Sequence, residues 1–301
     1  MSATAFVTGG GGFAGRHLTG LLGAGAVAPP RAELDLLDAR AVRAAVGRAA
    51  PAVIYHLAAL ASVGRSWEDP RATLDANLAM TLNVLEAARL EAPEAVVVIA
   101  GSGEVYGPPE RLPVDETAEL RPQNPYAVSK AACDLLAGLY ADAHGLRVVR
   151  MRAFNHAGPG QPDDYVVGTL TRQVAEAERT GAGEVVLRTG NQDSARDFTD
   201  VRDVVRAYAD APRLDPGVYN VCSGSTTSVR ELVELVAAAA HIEVRSDVDP
   251  ARVRGHDVAE VRGSAARLHA ATGWEPRIPL AETVRDALDA WRATPGGAGG
   301  E

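Results

Sequence analysis

Cysteine is scarce in this sequence. Only two of the 301 residues are cysteines, Cys133 and Cys222, and they lie far apart with no spacing typical of a metal site. A chain of this kind has no disulfide framework, so both thiols are predicted to be small buried residues of a protein in a reducing compartment. We predict no metal site.

Long apolar runs and an excess of positive charge are also lacking. No run approaches the roughly 18 residues that a membrane span needs, and no basic leader precedes the apolar residues 3–8. The 30 basic residues are outnumbered by 39 acidic ones, which gives a formal net charge of −9. We therefore expect a cytoplasmic protein that binds neither membranes nor nucleic acid, although an anionic small molecule can bind where a few arginines converge.

Aromatic residues make up only 5% of the chain and apolar residues 47%, so the core is predicted to consist mainly of aliphatic side chains. Apolar segments alternate with segments of helical spacing through the first half. Strands are predicted at 3–8, 52–57, 95–100 and 147–151, and helices at 13–22, 73–90 and 126–144. This alternation predicts an α/β fold with a doubly wound parallel sheet. Residues 23–30 leave room for only a stub of a second strand, because they end in Pro29 and Pro30.

A glycine-rich stretch joins the first predicted strand to the first predicted helix. Residues 8–15 read TGGGGFAG, with Gly9, Gly12 and Gly15 at the spacing of a dinucleotide-binding turn. The tight turn, the approach of a pyrophosphate and the helix–strand packing each require a residue without Cβ. Phe13 and Ala14 open the helix, whose free N–H groups favour phosphate. A plain glycine-rich turn is the alternative, but the position between strand and helix favours a Rossmann-type fold.

Two later stretches are predicted to contact the same dinucleotide. Asp35 could accept a hydrogen bond from the adenine amino group while Leu36 flanks the ring; the alternative is a helix cap at Asp38. Small residues follow another strand at the sheet edge where ligands bind, namely Leu57, Ala58 and Ala59. No acidic or basic residue is clearly placed for the adenosine ribose, so these residues do not distinguish NAD from NADP.

The pattern loosens after about residue 152. We predict an NAD(P)-binding Rossmann domain over 1–152, with interleaved later segments near 185–221. A smaller C-terminal α/β substrate domain is predicted mainly over 153–293, followed by a disordered tail over 294–301. Ser228 and Glu231 have the spacing of a helix-capping box.

A tyrosine and a lysine are spaced four residues apart in the segment 124–130 (NPYAVSK). Tyr126 and Lys130 then share one helix face, and the ammonium is expected to lower the pKa of the phenol for proton transfer. Ser102 ends the preceding strand, where its hydroxyl could share a substrate oxygen with Tyr126. A simple turn serine is the alternative. The three residues form the predicted catalytic set, in which Lys130 also binds the nicotinamide ribose.

These motifs together resemble the extended short-chain dehydrogenase/reductase family. The resemblance continues through residues 56–59 (HLAA), 102–107 (SGEVYG), 152–161 (RAFNHAGPGQ), 196–203 (RDFTDVRD) and 218–224 (VYNVCSG). Within the family, the chain is similar to bacterial reductases of GDP-linked 4-keto-6-deoxymannose. The resemblance implies reduction of a 4-keto sugar to a 6-deoxyhexose such as GDP-D-rhamnose, with NADP(H) favoured and NAD(H) possible. Ala100 and Phe154 complete the implied cofactor contacts.

Two other activities and a silent scaffold are the alternatives. A ketoreductase of a thymidine-diphosphate sugar fits the same residues. A GDP-mannose 4,6-dehydratase needs a base, which Glu104 could supply, whereas Gly103 disfavours a dehydratase of the thymidine-diphosphate-glucose type. A catalytically silent dinucleotide-binding protein is disfavoured because Tyr126 and Lys130 are both present.

The sugar nucleotide is predicted to contact Ser102 and Glu104 near the sugar, with Asn155, Arg196 and Arg254 at the diphosphate and Arg172 as a weaker candidate. A guanidinium binds two phosphate oxygens at once, although a solvated surface arginine is the alternative. His156 receives no role. The resemblance also suggests a homodimer through a four-helix interface. This interface would consist of the 73–90 helix and the Tyr126 helix of both subunits. The 73–90 helix has a stripe of leucines at positions 74, 78, 82 and 85. Burial of that stripe within one subunit is the alternative.

Overall fold

A computed structural model describes residues 4–252 and 258–294 of the chain. Its strands are Ala5–Thr8 (β1), Ala26–Val27 (β2), Val53–His56 (β3), Val96–Ser102 (β4), Arg147–Ala153 (β5), Asn155–Ala157 (β6), Glu184–Thr189 (β7), Ala195–Asp200 (β8), Gly217–Val221 (β9), Thr226–Ser228 (β10), Glu243–Val248 (β11) and Glu260–Val261 (β12). Its α-helices are Phe13–Leu22 (α1), Ala39–Ala49 (α2), Val63–Glu68 (α3), Pro70–Glu91 (α4), Pro125–His144 (α5), Val166–Arg179 (α6), Val201–Asp210 (α7), Val229–Ala239 (α8), Ala266–Thr272 (α9) and Leu280–Ala293 (α10).

Six parallel strands form the main sheet in the order β2-β1-β3-β4-β5-β9. Successive residues of a strand point to opposite faces, so both faces of a buried strand must be apolar. In β4, Val96 and Val98 pack into the core beneath α1 and α7, whereas Val97 and Ile99 pack into the core beneath α2 and α4. The predicted Rossmann-type α/β fold is therefore confirmed.

The second strand is only two residues long, as its composition predicts. Ala26 and Val27 pair with β1, and Pro29 and Pro30 follow after Ala28. A proline has no N–H to donate to a neighbouring strand, which ends the pairing there.

Among the described residues, none of the helices combines the length and the apolar character needed to cross a membrane.

Two smaller sheets lie outside the main one. Strands β10, β8 and β12 form one sheet, with β6 also paired to β8, and β7 pairs with β11 in the other. A separate apolar core forms between α6, α8 and α10 and includes Leu187 of β7. The interleaved segments expected near 185–221 stay a prediction as parts of the first domain. Only β9 joins the main sheet and α7 packs on α1, because β7 and β8 have their own pairing partners.

The division into two domains at about residue 152 stays a prediction. Residue 153 still belongs to β5, which pairs with β9 over Val149–Ala153. Of the tail predicted over 294–301, only Thr294 lies among the described residues. The predicted capping box is confirmed, since Ser228 and Glu231 cap each other's backbone at the start of α8.

Candidate active site

The glycine-rich turn after β1 is tightly packed against the loop that follows β3. Gly9 has φ +71°, and a Cβ there would lie 2.6 Å from the backbone nitrogen of Ala58. A Cβ on Gly15 would lie 2.0 Å from the carbonyl oxygen of Gly9. The amide of Gly12 donates to that same oxygen at 3.0 Å, which closes the turn. Glycine at positions 9 and 15 therefore lets the turn pack directly on the loop after β3 and on the start of α1, and we call this glycine turn the cradle.

The start of α1 offers free backbone donors to a ligand in this cradle. Its N-cap is Gly12, which has no side chain to accept from the first-turn N–H groups of Phe13 and Ala14. Such a helix end attracts phosphate through its N–H groups and its dipole. The residues present thus fit the pyrophosphate of a dinucleotide. Leu57–Ala59 lie beside the glycine turn, because the backbone of Ala58 is next to Gly9.

The predicted adenine contacts are partly engaged in the protein itself. Asp38 is the N-cap of α2 and accepts from the amides of Arg40 and Ala41. Asp35 accepts from the amide of Leu37 at 2.9 Å at an exposed turn, and Leu36 packs its side chain against the core beneath α2. The cap at Asp38 is therefore present, and the adenine role of Asp35 and Leu36 stays a prediction.

The three predicted catalytic residues meet at the carboxyl end of β4. Ser102 is the last residue of β4, and its hydroxyl lies close enough to the phenol of Tyr126 to lower the pKa of that phenol. Tyr126 and Lys130 lie one turn apart on α5, which begins after an N-cap by Asn124. The ammonium of Lys130 is buried and donates to the carbonyl oxygen of Ala100, two residues before Ser102 on the same strand.

The protonation of this site differs from the sequence-based expectation. Burial raises the pKa of Tyr126 above its ordinary value near 10, and the hydrogen bond from Ser102 opposes that shift. Burial also lowers the pKa of Lys130, against the charge of Asp134. The expected lowering of the tyrosine pKa by lysine is therefore wrong for the protein alone, because desolvation is the larger effect. A phenol that stays protonated at neutral pH is a proton donor.

Glu104 lies close enough to Tyr126 for its charge to raise the pKa of the phenol. Its carboxylate accepts from the side-chain amide of Asn124 at 3.2 Å, so the cap residue of α5 also positions Glu104. Tyr165, at the N-cap of α6, is electrostatically coupled to Tyr126 as well. The sequence analysis missed Tyr165, because no local pattern relates it to the catalytic helix.

A buried polar network beneath the site was also missed. The hydroxyl of Thr8 lies 2.8 Å from Nδ1 of His56, and Nε2 of His56 lies 3.1 Å from the hydroxyl of Thr81. Burial, and then the charge of Lys130, lowers the pKa of His56 to about 3. The ring is therefore neutral and links β1 and β3 to α4. A histidine at the end of an otherwise apolar strand was the available signal.

The same network reaches the catalytic helix through Asn77 of α4. Its side-chain amide donates to the hydroxyl of Ser129 at 2.8 Å, and its oxygen accepts from the amide of Leu60 at 2.7 Å. Ser129 in turn donates to the carbonyl oxygen of Tyr126. Asn77 thus joins the loop after β3 to the first turn of α5, beside the cofactor cradle.

An ion-pair cluster holds the other side of α5. Asp134, one turn after Lys130, is buried and accepts from the guanidinium of Arg152 at 2.8 and 3.1 Å and from Arg150 at 3.2 Å. Arg152 also donates to the phenol of Tyr106. These charges on β5 anchor the helix that carries the catalytic residues.

The predicted substrate contacts have different surroundings. Asn155 is half-buried in β6 and pairs with Phe198 of β8. Arg196 of β8 donates to the carbonyl oxygens of Ala195 and Val258. Arg172 is held by Asp163 and Glu176 at 2.9 and 3.1 Å, in a largely exposed ion-pair cluster.

Three of the predicted ligand contacts stay predictions. The ion pairs of Arg172 do not test its expected diphosphate contact, and Arg254 lies outside the described residues. Phe154 is buried against Gly103 and Gly263, where added Cβ atoms would lie 2.9 and 2.7 Å from its ring. Its side chain is therefore part of the core, and its role as a cofactor contact stays a prediction.

Sequence comparison assigns the chain to a family of sugar-nucleotide enzymes. Residues 31–287 match the GDP-mannose 4,6 dehydratase family, so the chain belongs to that family. The predicted membership of the extended short-chain dehydrogenases/reductases is thereby confirmed.

Individual relatives cover almost the whole chain. It is 39% identical to the GDP-6-deoxy-D-mannose reductase of Pseudomonas aeruginosa, over 97% of this chain and 98% of that protein. The structure of RMD from Pseudomonas aeruginosa complexed with NADPH superposes with a TM-score of 0.87 at 37% identity, covering 97% of this chain and 99% of that one. The UDP-glucose 4-epimerase of Thermus thermophilus, in complex with NAD, gives a TM-score of 0.86 at 32% identity, covering 96% and 99%.

Proposed function

We propose that this protein reduces the C4 keto group of GDP-4-keto-6-deoxy-D-mannose with NADPH and forms GDP-D-rhamnose. The observation that carries the proposal is that Ser102, at the end of β4, lies beside Tyr126, with Lys130 one helical turn away on α5. The 39% identity to a GDP-6-deoxy-D-mannose reductase over nearly full length supports the choice of sugar nucleotide.

Each catalytic side chain has a task that follows from its surroundings. NADPH, when bound, supplies the hydride that C4 of the sugar receives. Tyr126 is protonated because burial raises its pKa, and it donates its proton to the carbonyl oxygen that becomes the hydroxyl. Ser102 shares that oxygen and orients it. Lys130 places a positive charge where the phenolate forms, and its bond to the Ala100 carbonyl holds it there.

The residues after β2 support NADPH over NADH. An acidic residue that would bind the free 2′-hydroxyl of NAD is missing from the end of β2, where Ala28 follows directly. The exposed Arg31 lies three residues further on and can approach a 2′-phosphate. The solved relative with NADPH supports the same preference, whereas an epimerase relative is solved with NAD.

A GDP-mannose 4,6-dehydratase is the second candidate. The carboxylate of Glu104 lies within electrostatic range of Tyr126 and is held by Asn124, which is where a base for removal of a sugar proton would be needed. The matching family has the same name. We favour the reductase because the nearly full-length relative at 39% identity is a reductase.

A side-by-side turnover assay tests these activities. Purified protein is offered GDP-4-keto-6-deoxy-D-mannose, or its thymidine-diphosphate 4-keto-6-deoxyhexose counterpart, with NADPH or NADH, and loss of absorbance at the reduced nicotinamide band is followed. GDP-mannose with NADP⁺ tests the dehydratase. We expect the guanosine compound with NADPH to turn over fastest. Preference for the thymidine compound, or conversion of GDP-mannose to the keto sugar alone, would overturn the assignment.

We also propose that the protein is a homodimer through α4 and α5. Large apolar side chains are exposed along both helices, namely Leu78 and Leu82 on α4 at 40% and 39% and Leu135 and Leu139 on α5 at 62% and 59%. The predicted leucine stripe is divided, because Leu85 is fully buried within the subunit. The two helices pack side by side, so two copies would form four helices.

The oligomeric state is measurable directly. Light scattering after size exclusion should give a dimer mass, and Leu139→Glu should give a monomer with an unchanged fold. A wild-type monomer would end this proposal.

We further propose a cytoplasmic location, which suits two buried free cysteines.

A further inference from the structure

The segment that follows β5 is attached to the cofactor helix by three contacts. The ring of His156 stacks in parallel on the ring of Phe13, the first residue of α1, with centroids 5.8 Å apart and planes 2° apart. On the next turn, His17 bonds to the carbonyl oxygen of Pro159 at 2.9 Å and Arg16 donates to that of Gly160 at 3.2 Å. The mechanism uses none of these contacts.

His156 is also held from its own side of the interface. Its Nδ1 donates to the carbonyl oxygen of Phe154 at 3.3 Å, and its own carbonyl oxygen accepts from the side chain of Gln161 at 2.8 Å. Burial lowers the pKa of the ring, so the ring stays neutral at pH 7. Through β6 the residue pairs with Thr199. The ring is therefore a rigid link between α1 and the strand that contains Asn155.

We propose that His156 is a positioning residue that, through its stack on Phe13, fixes Asn155 relative to the cofactor helix, so that a dinucleotide bound at the start of α1 strengthens binding of the sugar nucleotide. This inference rests on the proposed function. Asn155 is the neighbour of His156 in β6 and must point to the opposite side of the strand. A shift of the ring therefore moves Asn155 with it.

The expected size of the effect follows from the strength of an aromatic pair, which corresponds to about a two- to ten-fold change in affinity. The bonds from Arg16 and His17 keep the segment near α1 when the stack is lost. Loss of the stack should therefore weaken substrate binding without abolishing the fold.

Two substitutions separate the stack from the hydrogen bond. His156→Asn keeps a donor for the Phe154 carbonyl and removes the ring, whereas His156→Phe keeps the ring and removes the donor. Phe13→Leu removes the stack from the other side. His269→Asn is the matched control, because His269 also bonds to a backbone carbonyl, that of Trp274 at 3.2 Å, on a helix outside the site.

The binding of GDP is measured by calorimetry with and without saturating NADPH, alongside steady-state kinetics and thermal unfolding. In the wild type, NADPH should tighten GDP binding. We expect the factor by which NADPH tightens GDP binding to be two- to ten-fold smaller in His156→Asn and in Phe13→Leu than in the wild type. For His156→Asn, we expect KM for the sugar nucleotide to rise by the same factor while kcat falls less than two-fold. His156→Phe should restore both values, and His269→Asn should match the wild type.

Several results would overturn the proposal. These are equal GDP binding with and without NADPH in the wild type, wild-type values in His156→Asn, or the same loss in His156→Phe as in His156→Asn. If His156→Asn fails to fold, Phe13→Leu and His156→Phe decide the question. Failure of the proposed function is distinguishable, because GDP and NADPH binding are measured without turnover.

Discussion

The glycine cradle allows a sharp comparison between two substitutions in the same turn, Gly15→Ala and Gly11→Ala. A Cβ on Gly15 would lie 2.0 Å from the Gly9 carbonyl oxygen, whereas ordinary contact begins at 3.4 Å, so the helix and the turn must separate by about 1.4 Å. The atoms of Gly9 and Gly10 that this Cβ would meet belong to the backbone and cannot rotate away. A Cβ on Gly11 would meet nothing within 4 Å.

Overpacking of this kind costs about 1–3 kcal/mol of the free energy of unfolding, and a displacement of about 1 Å at a site costs about 100-fold in rate. We therefore expect Gly15→Ala to lower kcat/KM for NADPH about 100-fold. The free energy of unfolding in urea should fall by about 1–3 kcal/mol. Gly11→Ala should stay within about two-fold of the wild type in both assays. NADPH binding by fluorescence completes the comparison. The reasoning would be refuted by wild-type NADPH affinity in Gly15→Ala, or by equal damage in Gly11→Ala.

Four further predictions follow from the site and its supports. Tyr126→Phe should keep NADPH affinity, measured by calorimetry, and lose about 100- to 10,000-fold in kcat, because the proton donor is removed; unchanged turnover would exclude the phenol. Asp134→Ala should lower the free energy of unfolding in urea by about 3–5 kcal/mol, since it leaves the buried charge of Arg152 without its carboxylate partner; a loss under 1 kcal/mol would contradict this. The pKa of His56 is lowered to about 3 in the folded protein, so the unfolded chain binds the proton first and the free energy of unfolding should fall as the pH drops from 6.5 towards 3. His56→Asn should make the free energy of unfolding in urea differ less between pH 7 and pH 5. An unchanged pH dependence would assign it to other groups. Arg31→Ala should raise KM for NADPH several-fold and leave KM for NADH unchanged, and equal effects on both would argue against a 2′-phosphate contact.

Much of the fold was predictable because local chemistry marks its element ends. The apolar runs predicted at 3–8, 52–57 and 95–100 correspond to β1, β3 and β4 of the main sheet, and α1 and α8 begin where the glycine turn and the capping box place them. The short β2 follows from its prolines. Each of these signals acts within a few residues, so it needs no knowledge of the rest of the chain.

The parts that were missed depend on distant partners. Helix α3 is only six residues long, and β10 and β12 contain three and two residues, too few for a periodic pattern. Which strands near 185–221 join the main sheet was not predicted: β7 and β8 join other sheets because β11, β6 and β10 lie beside them. Pairing over such separations leaves no trace in the local sequence.

The sequence by itself determined the chemical inventory of this protein: a turn of glycines, a tyrosine and a lysine one helical turn apart, and a serine at a strand end. The tertiary structure alone decided how those groups are charged and what holds them. Burial, which raises the pKa of Tyr126 and lowers that of His56, is a property of the packed chain, because a side chain loses its water only when residues far along the sequence close over it.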